Sequence, residues 1–136
     1  MRAKNYLTEI RKLDRKIANK QMELESLKAL VTSITPTLKE VNVQSGGSQD
    51  RLGDTMAKIL DLQNEINRDI DKYVDRKLEA IRLINKLEDD VSINILIQRY
   101  VNYKRWDEIA ESLHYTRQGI FKKHGQALLD FEKVNT

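Results

Sequence analysis

The chain has 136 residues, 40% of them apolar and 33% charged, with 24 Lys+Arg against 21 Asp+Glu for a formal charge of +3. Apolar content below the roughly 45–50% of an average globular domain points to elongated helices with wet outer faces. The mild positive balance permits nucleic-acid binding without demanding it. The lack of cysteine excludes disulfides, thiol catalysis and thiolate metal sites. No apolar run approaches the roughly 18 residues of a membrane helix, and residues 1–20 lack a signal peptide's apolar block. The expectation is a soluble, cytoplasmic, all-α protein.

Helix breakers are sparse. The one proline is Pro36, three of the five glycines (Gly46, Gly47 and Gly53) follow shortly after it, and from Asp54 to Gln118 neither residue occurs. The first predicted element, residues 1–34, carries a heptad. Ala3, Ile10, Ile17, Leu24 and Val31 form one seam position, and Tyr6, Leu13, Lys20, Leu27 and Ile34 its companion, with Lys20 as a polar interruption. Residues 35–53 then read as a flexible linker around Ser45-Gly46-Gly47-Ser48, with at most a brief extended segment at Val41 and Val43. The glycine pair lacks the lysine and spacing of a phosphate-binding loop.

A long second helix is predicted over 54–88. Its stripe of Ile59, Leu62, Ile66, Ile70, Tyr73, Lys77, Ile81 and Ile84, with Val74 and Leu78 alongside, steps closer to an eleven-residue repeat than to a heptad. Such a stripe needs a partner. The first helix folded back as an antiparallel hairpin supplies one, and the same helix of a second chain supplies another. Asp89 or Asp90 is placed to cap a helix over about 91–103, with Val91, Ile95, Leu96, Tyr100 and Val101 as its apolar positions.

Within the C-terminal domain, 89–136, the segment WDEIAESLHYTRQGIFKKHGQAL carries the functional signal. Trp106, Ile109, Ala110 and Leu113 share one helix face, His114-Tyr115-Thr116 makes a tight break, and Thr116 is a good N-cap for a second helix bearing Ile120, Ala127, Leu128 and Phe131. That is the helix-turn-helix pattern, with small Ala110 at the crossing and Ile120 as the seal. The outward residues suit a DNA major groove. Arg117 can pair with guanine, Gln118 with adenine, and Phe121 can touch a thymine methyl. Thr116 and Gly119 stand at the start of that helix, where Gly119 lets the backbone approach a phosphate. Lys122, Lys104 and Arg105 suit phosphate contacts. Basic Arg117, Lys122 and Lys123 lie between Leu113 and Leu128 with no acid among them, whereas Asp107, Glu108 and Glu111 sit on the first helix of the motif.

On these residues the chain resembles known proteins. Leu96, Arg99-Tyr100-Val101, Trp106-Asp107-Glu108-Ile109-Ala110, Tyr115-Thr116-Arg117-Gln118 and Ala127-Leu128 resemble region 4 of sigma-70-type transcription factors. With Tyr6-Leu7, Ile10-Arg11-Lys12-Leu13-Asp14 and Val43-Gln44-Ser45-Gly46, the chain is similar to small phage-encoded regulators of the ArpU/RinA type. The resemblance implies activation of phage or prophage late genes in a bacterial host. The expected partners are double-stranded DNA, read by the outward residues of the motif, with RNA polymerase alongside or a second chain paired through the N-terminal helices as a homodimer, since one motif offers few base contacts. A small terminase subunit and a coiled-coil adaptor of polymerase that reads no DNA are the alternatives. Two departures stand out: His114 occupies a turn position where glycine is usual, and Lys123 a slot that is usually apolar, so that its stem must snorkel. Gly119 and Gly125 each weaken their helix by about 1 kcal/mol relative to alanine.

No enzyme is indicated. His114 and His124 are the only histidines, and no nucleophile–base set or metal-ligand cluster is apparent, so neither cofactor nor metal is expected. His124 reads as a polar cap over the motif or a phosphate contact. Tyr100, Tyr103 and Trp106 read as core before they read as stacking platforms.

Overall fold

The stretches rich in Leu, Lys, Glu and Arg become helices, because these unbranched or γ-branched side chains lose little conformational freedom in that state. The computed structural model describes residues 2–40 and 46–135, without the side chains of 34–40 and 46–49. In chain order the elements are α1 (Arg2–Glu40), α2 (Gly46–Ile84), α3 (Asp90–Leu96), a π-helical turn (Ile97–Val101), α4 (Trp106–Leu113) and α5 (Arg117–Val134). No strand occurs among the described residues, and the chain is all-α. Among them, no helix is long and apolar enough to cross a membrane.

The boundaries differ from those expected at three places. Most of the predicted linker over 35–53 is helical: α1 continues through Pro36 to Glu40, and α2 already begins at Gly46. A single proline removes one backbone donor, and the good helix formers Leu38, Lys39 and Glu40 beyond it allow the helix to go on. The extended segment expected at Val41 and Val43 lies outside the described residues. At its other end α2 stops at Ile84, and Lys86 and Leu87 donate in tighter turns to Leu83 and Ile84, each at 3.1 Å. The helix expected over 91–103 is α3 followed by the π-helical turn.

The chain divides into two compact units, and α1 and α2 contribute to both. The unit Arg15–Asp71 is built from α1 and α2. Ile17 and Leu24 of the heptad are buried, with Lys20, Leu27 and Val31 half-buried, and Ile59, Leu62 and Ile66 of α2 are buried as well. Lys20, the polar interruption, donates to Asp69 at 2.6 Å and to Glu65 at 3.5 Å. Those carboxylates, Asp69 above all, hold its ammonium above the usual lysine range. A lysine in a seam thus selects a partner that carries acids opposite it.

The second unit joins Met1–Asp14 to Lys72–Thr136. Its core takes Leu7 and Ile10 from α1, Leu83 and Ile84 from α2, Leu96 from α3 and Phe131 from α5. Predicted as residues 89–136 alone, the C-terminal domain therefore also includes the first turns of α1 and the last turns of α2. On α2, Val74 and Leu78 are exposed at 44% and 61%, while Ala80, Leu83 and Ile84 are buried. Lys77 belongs to the predicted stripe for a polar reason. Its ammonium donates to the Tyr73 hydroxyl at 3.0 Å and lies over the rings of both Tyr73 and Tyr103.

Candidate nucleic-acid interface

The site begins at a backbone device. The π-helical turn widens the coil by one residue, the Asn102 N–H donating to the Ile97 carbonyl, and the Lys104 N–H then closes a six-residue loop on the Gln98 carbonyl. Tyr103 then takes the left-handed conformation at φ 59°, unusual for a bulky residue. The ring is held in place by its surroundings: the Tyr103 hydroxyl lies 2.9 Å from that of Tyr73, and Arg11 sits over its face. Burial, first, and then the hydrogen bond with Tyr73 raise the Tyr103 hydroxyl well above the ordinary phenol range. The reversal delivers Lys104 and Arg105 to the start of α4.

α4 opens with Asp107 and Glu108 in its first turn, where carboxylates complement the helix dipole. It closes on His114 at φ 59° and ψ 39°, and the His114 N–H reaches the Ala110 and Glu111 carbonyls. The histidine at the usual glycine position adopts the left-handed geometry that the turn requires. Thr116 then caps α5, its Oγ1 accepting from Gly119 N–H at 3.0 Å. A Cβ on Gly119 would stand 3.1 Å from that same oxygen, so the bare α-carbon makes room for the cap itself. Gly125 is different, because a Cβ there would meet nothing within 4 Å. Gly125→Ala is expected to stabilise the chain by about 1 kcal/mol through helix propensity, measurable as a higher midpoint of urea unfolding.

Beneath the turn, Ile95, Ile109, Ala110 and Ile120 form a buried cluster flanked by Val91, Trp106, Leu113 and Tyr115. This is the crossing expected from Ala110 and Ile120. Lys123 reaches past the cluster rather than into it. Its ammonium donates to Asp89 Oδ2 at 2.6 Å, and the same carboxylate caps α3 by accepting from Val91 N–H and Ser92 Oγ. Lys123, Ser92 and Val91 hold the Asp89 carboxyl below its usual range. Of the two candidate caps it is Asp89 that serves, and it ties α5 to α3.

His124 is a polar cap over the motif. Its Nε2 lies 2.6 Å from the Tyr100 hydroxyl, and its ring meets Trp106 edge-on at 4.6 Å. Burial, with smaller contributions from Lys4 and Arg99, lowers the imidazole to about 4, and burial raises Tyr100 to about 12. The sign follows from linkage. Above pH 6.5 the imidazole is neutral folded or unfolded, but between pH 6.5 and 4 the unfolded chain binds a proton that the fold refuses. Stability should therefore fall by roughly 1–2 kcal/mol through that window, less than full burial would give because the ring keeps part of its solvent contact. Urea midpoints from pH 7 to 4 check this, with His124→Gln expected to flatten the slope.

The residues proposed from sequence to face DNA do face outward. Thr116, Arg117, Gln118 and Lys122 are exposed, Gly119 is half-buried, and Phe121 is 44% exposed with its ring edge-on to Trp106 at 5.3 Å. Lys104 and Arg105 are exposed as well. The charge segregation seen along the sequence does not persist in space. Arg117 pairs with Asp107 at 3.6 Å, and Glu108 takes Arg105 at 3.0 Å and Lys104 at 3.9 Å. These pairs are solvated, each worth about 0–1 kcal/mol, so a phosphate can compete for the cations. Arg99, which enters the sequence reading only through the resemblance and with no role in the site, donates to the Lys104 carbonyl at 3.0 Å and lies over the Trp106 ring at 4.6 Å. Among the described residues, no group of three or more His, Cys, Asp or Glu side chains is placed to hold a metal.

A family model described as protein of unknown function, DUF1492, matches residues 30–132. The chain belongs to that family. No curated protein and no solved structure matches it. In this DUF1492 chain the matched stretch starts inside α1, takes in α2, α3 and α4 whole, and ends two residues short of the end of α5. The Ile109–Ala110–Ile120 crossing and the exposed start of α5 both lie within it.

Proposed function

We propose that the chain is a sequence-specific DNA-binding regulator of transcription that places the first turns of α5 in the major groove. One observation carries the reading. Arg117, Gln118, Phe121 and Lys122 stand exposed on the start of a capped helix, while Ile109, Ala110 and Ile120 lock that helix across α4. Arg117 and Gln118 supply base-edge hydrogen bonds, Phe121 an apolar contact, and Lys122, Lys104 and Arg105 bind phosphates. The first N–H groups of α5 add a favourable end for an anion.

A single motif of this size makes few base contacts, each worth about 1–3 kcal/mol of discrimination. Pairing two chains through the N-terminal helices doubles the readout and demands a two-fold site. The similarity to ArpU/RinA-type regulators and to sigma region 4 makes late-gene promoters of a phage or prophage the target, with host RNA polymerase alongside in the bacterial cytoplasm.

The test is selection of fragmented source-genome DNA by the purified full chain at physiological salt, with and without polymerase. Enrichment upstream of late operons supports the reading. Enrichment at a packaging site with a ring-sized assembly favours a terminase subunit. Failure to enrich DNA under either condition leaves an adaptor and overturns the proposal.

A further inference from the structure

The side chains around Arg117 form one continuous ladder. Arg99 lies over the Trp106 ring at 4.6 Å, Trp106 meets Phe121 edge-on at 5.3 Å, Arg117 lies over Phe121 at 5.8 Å, and Asp107 closes the series by pairing with Arg117 at 3.6 Å. The ladder spans the π-helical turn, the first turn of α4 and the first two turns of α5. We infer that Asp107 and the Trp106–Phe121 stack are positioning elements that hold the Arg117 guanidinium in the orientation in which it meets a guanine edge. This inference rests on the major-groove reading above.

The physical case begins with freedom. A solvated arginine has many rotamers, and fixing one on binding costs about 0.5–1.5 kcal/mol. A guanidinium is planar, stacks on aromatic faces and pairs with a carboxylate, so the nearby Phe121 ring and the Asp107 acid each restrict it. The pair itself contributes little to stability, because Arg117 and Asp107 side chains are 67% and 68% exposed. Orientation is what remains for it to provide. An acid beside DNA also repels phosphates, a liability for total affinity, so Asp107 has opposite effects on the affinity of binding and on its selectivity.

Glu108 is the internal comparison. It occupies the same first turn and carries the same charge, but it pairs with Arg105 and Lys104 and takes no part in the ladder. Removing either charge lowers repulsion towards any DNA. Only removal of Asp107 frees Arg117.

The experiment measures Asp107→Asn and Glu108→Gln on two duplexes at one salt concentration. One duplex is the best binder recovered by the wild-type chain from a random-sequence pool, and the other is its scrambled counterpart. Circular dichroism confirms that both variants keep wild-type helicity; should Asp107→Asn fail to fold, Asp107→Ser replaces it, keeping a helix-start residue. Glu108→Gln is expected to tighten both duplexes alike and keep their ratio. Asp107→Asn is expected to tighten the scrambled duplex while the ratio falls about three- to tenfold, the size set by the ordering cost of one side chain. A ratio unchanged in Asp107→Asn, or reduced equally in both variants, overturns the positioning role and leaves major-groove reading standing. Failure of the wild-type chain to prefer any duplex overturns both.

Discussion

Phe131→Ala should lower the unfolding free energy by about 3–5 kcal/mol, the range for deleting a fully buried ring whose neighbours cannot collapse into the gap. Phe131 is completely buried, its ring 5.8 Å from that of Tyr6, and it packs in one core with Ala3, Leu7 and Ile10 of α1, Ala80, Leu83 and Ile84 of α2 and Leu96 of α3. Segments distant in the chain close around one ring, so none can move in without disturbing the others. Leu129, two residues earlier and 46% exposed, provides the contrast. Its replacement by alanine should cost within about 0.5 kcal/mol. Chemical denaturation of both variants, read by far-ultraviolet circular dichroism, checks the pair. Equal losses would mean that Phe131 is not the centre of this core.

This core also shows where sequence reading stops. Period reports which face of a helix is apolar but not what covers it. The heptad positions Ala3, Ile10, Ile17 and Leu24 are all buried, yet Ala3 and Ile10 lie in the core with Phe131, whereas Ile17 and Leu24 belong to the other unit. A domain boundary placed at residue 89 follows from local pattern, and the long-range pairing that overrides it leaves no local mark. Lys77 is similar: its spacing places it in an apolar stripe one turn from Tyr73, but only tertiary contact reveals the second ring, Tyr103, beside it.

The helix-turn-helix was more legible because its rules are short-range. Thr116 caps within three residues, His114 must turn left-handed to end α4, and Ala110 and Ile120 meet across a fixed offset. The stretch just before it hid the π-helical turn and the left-handed Tyr103, since apolar spacing runs on through Ile97, Tyr100 and Val101 as it would in an ordinary helix. Charge was the least legible property. Bases and acids that separate along the chain meet in space at Arg117–Asp107 and Lys123–Asp89.

Those pairs shape the second large effect, a division of labour between Arg117 and Lys122. If α5 lies in the major groove, Arg117→Ala should abolish sequence preference by removing about 1–3 kcal/mol of discrimination, up to roughly a hundredfold. The variant also leaves Asp107 without the Arg117 guanidinium, so its charge adds repulsion towards any DNA. Lys122→Ala should instead weaken every duplex by a similar factor and reduce the salt slope by about one counterion. Lys122 is exposed and lies one residue beyond Phe121, past the cap at Thr116, where a groove-seated helix passes the backbone. Titrating each variant against selected and scrambled duplexes at several salt concentrations separates the two roles. Identical losses from both substitutions would mean that Arg117 reads charge alone, and the base-reading assignment would then have to move to Gln118 and Phe121.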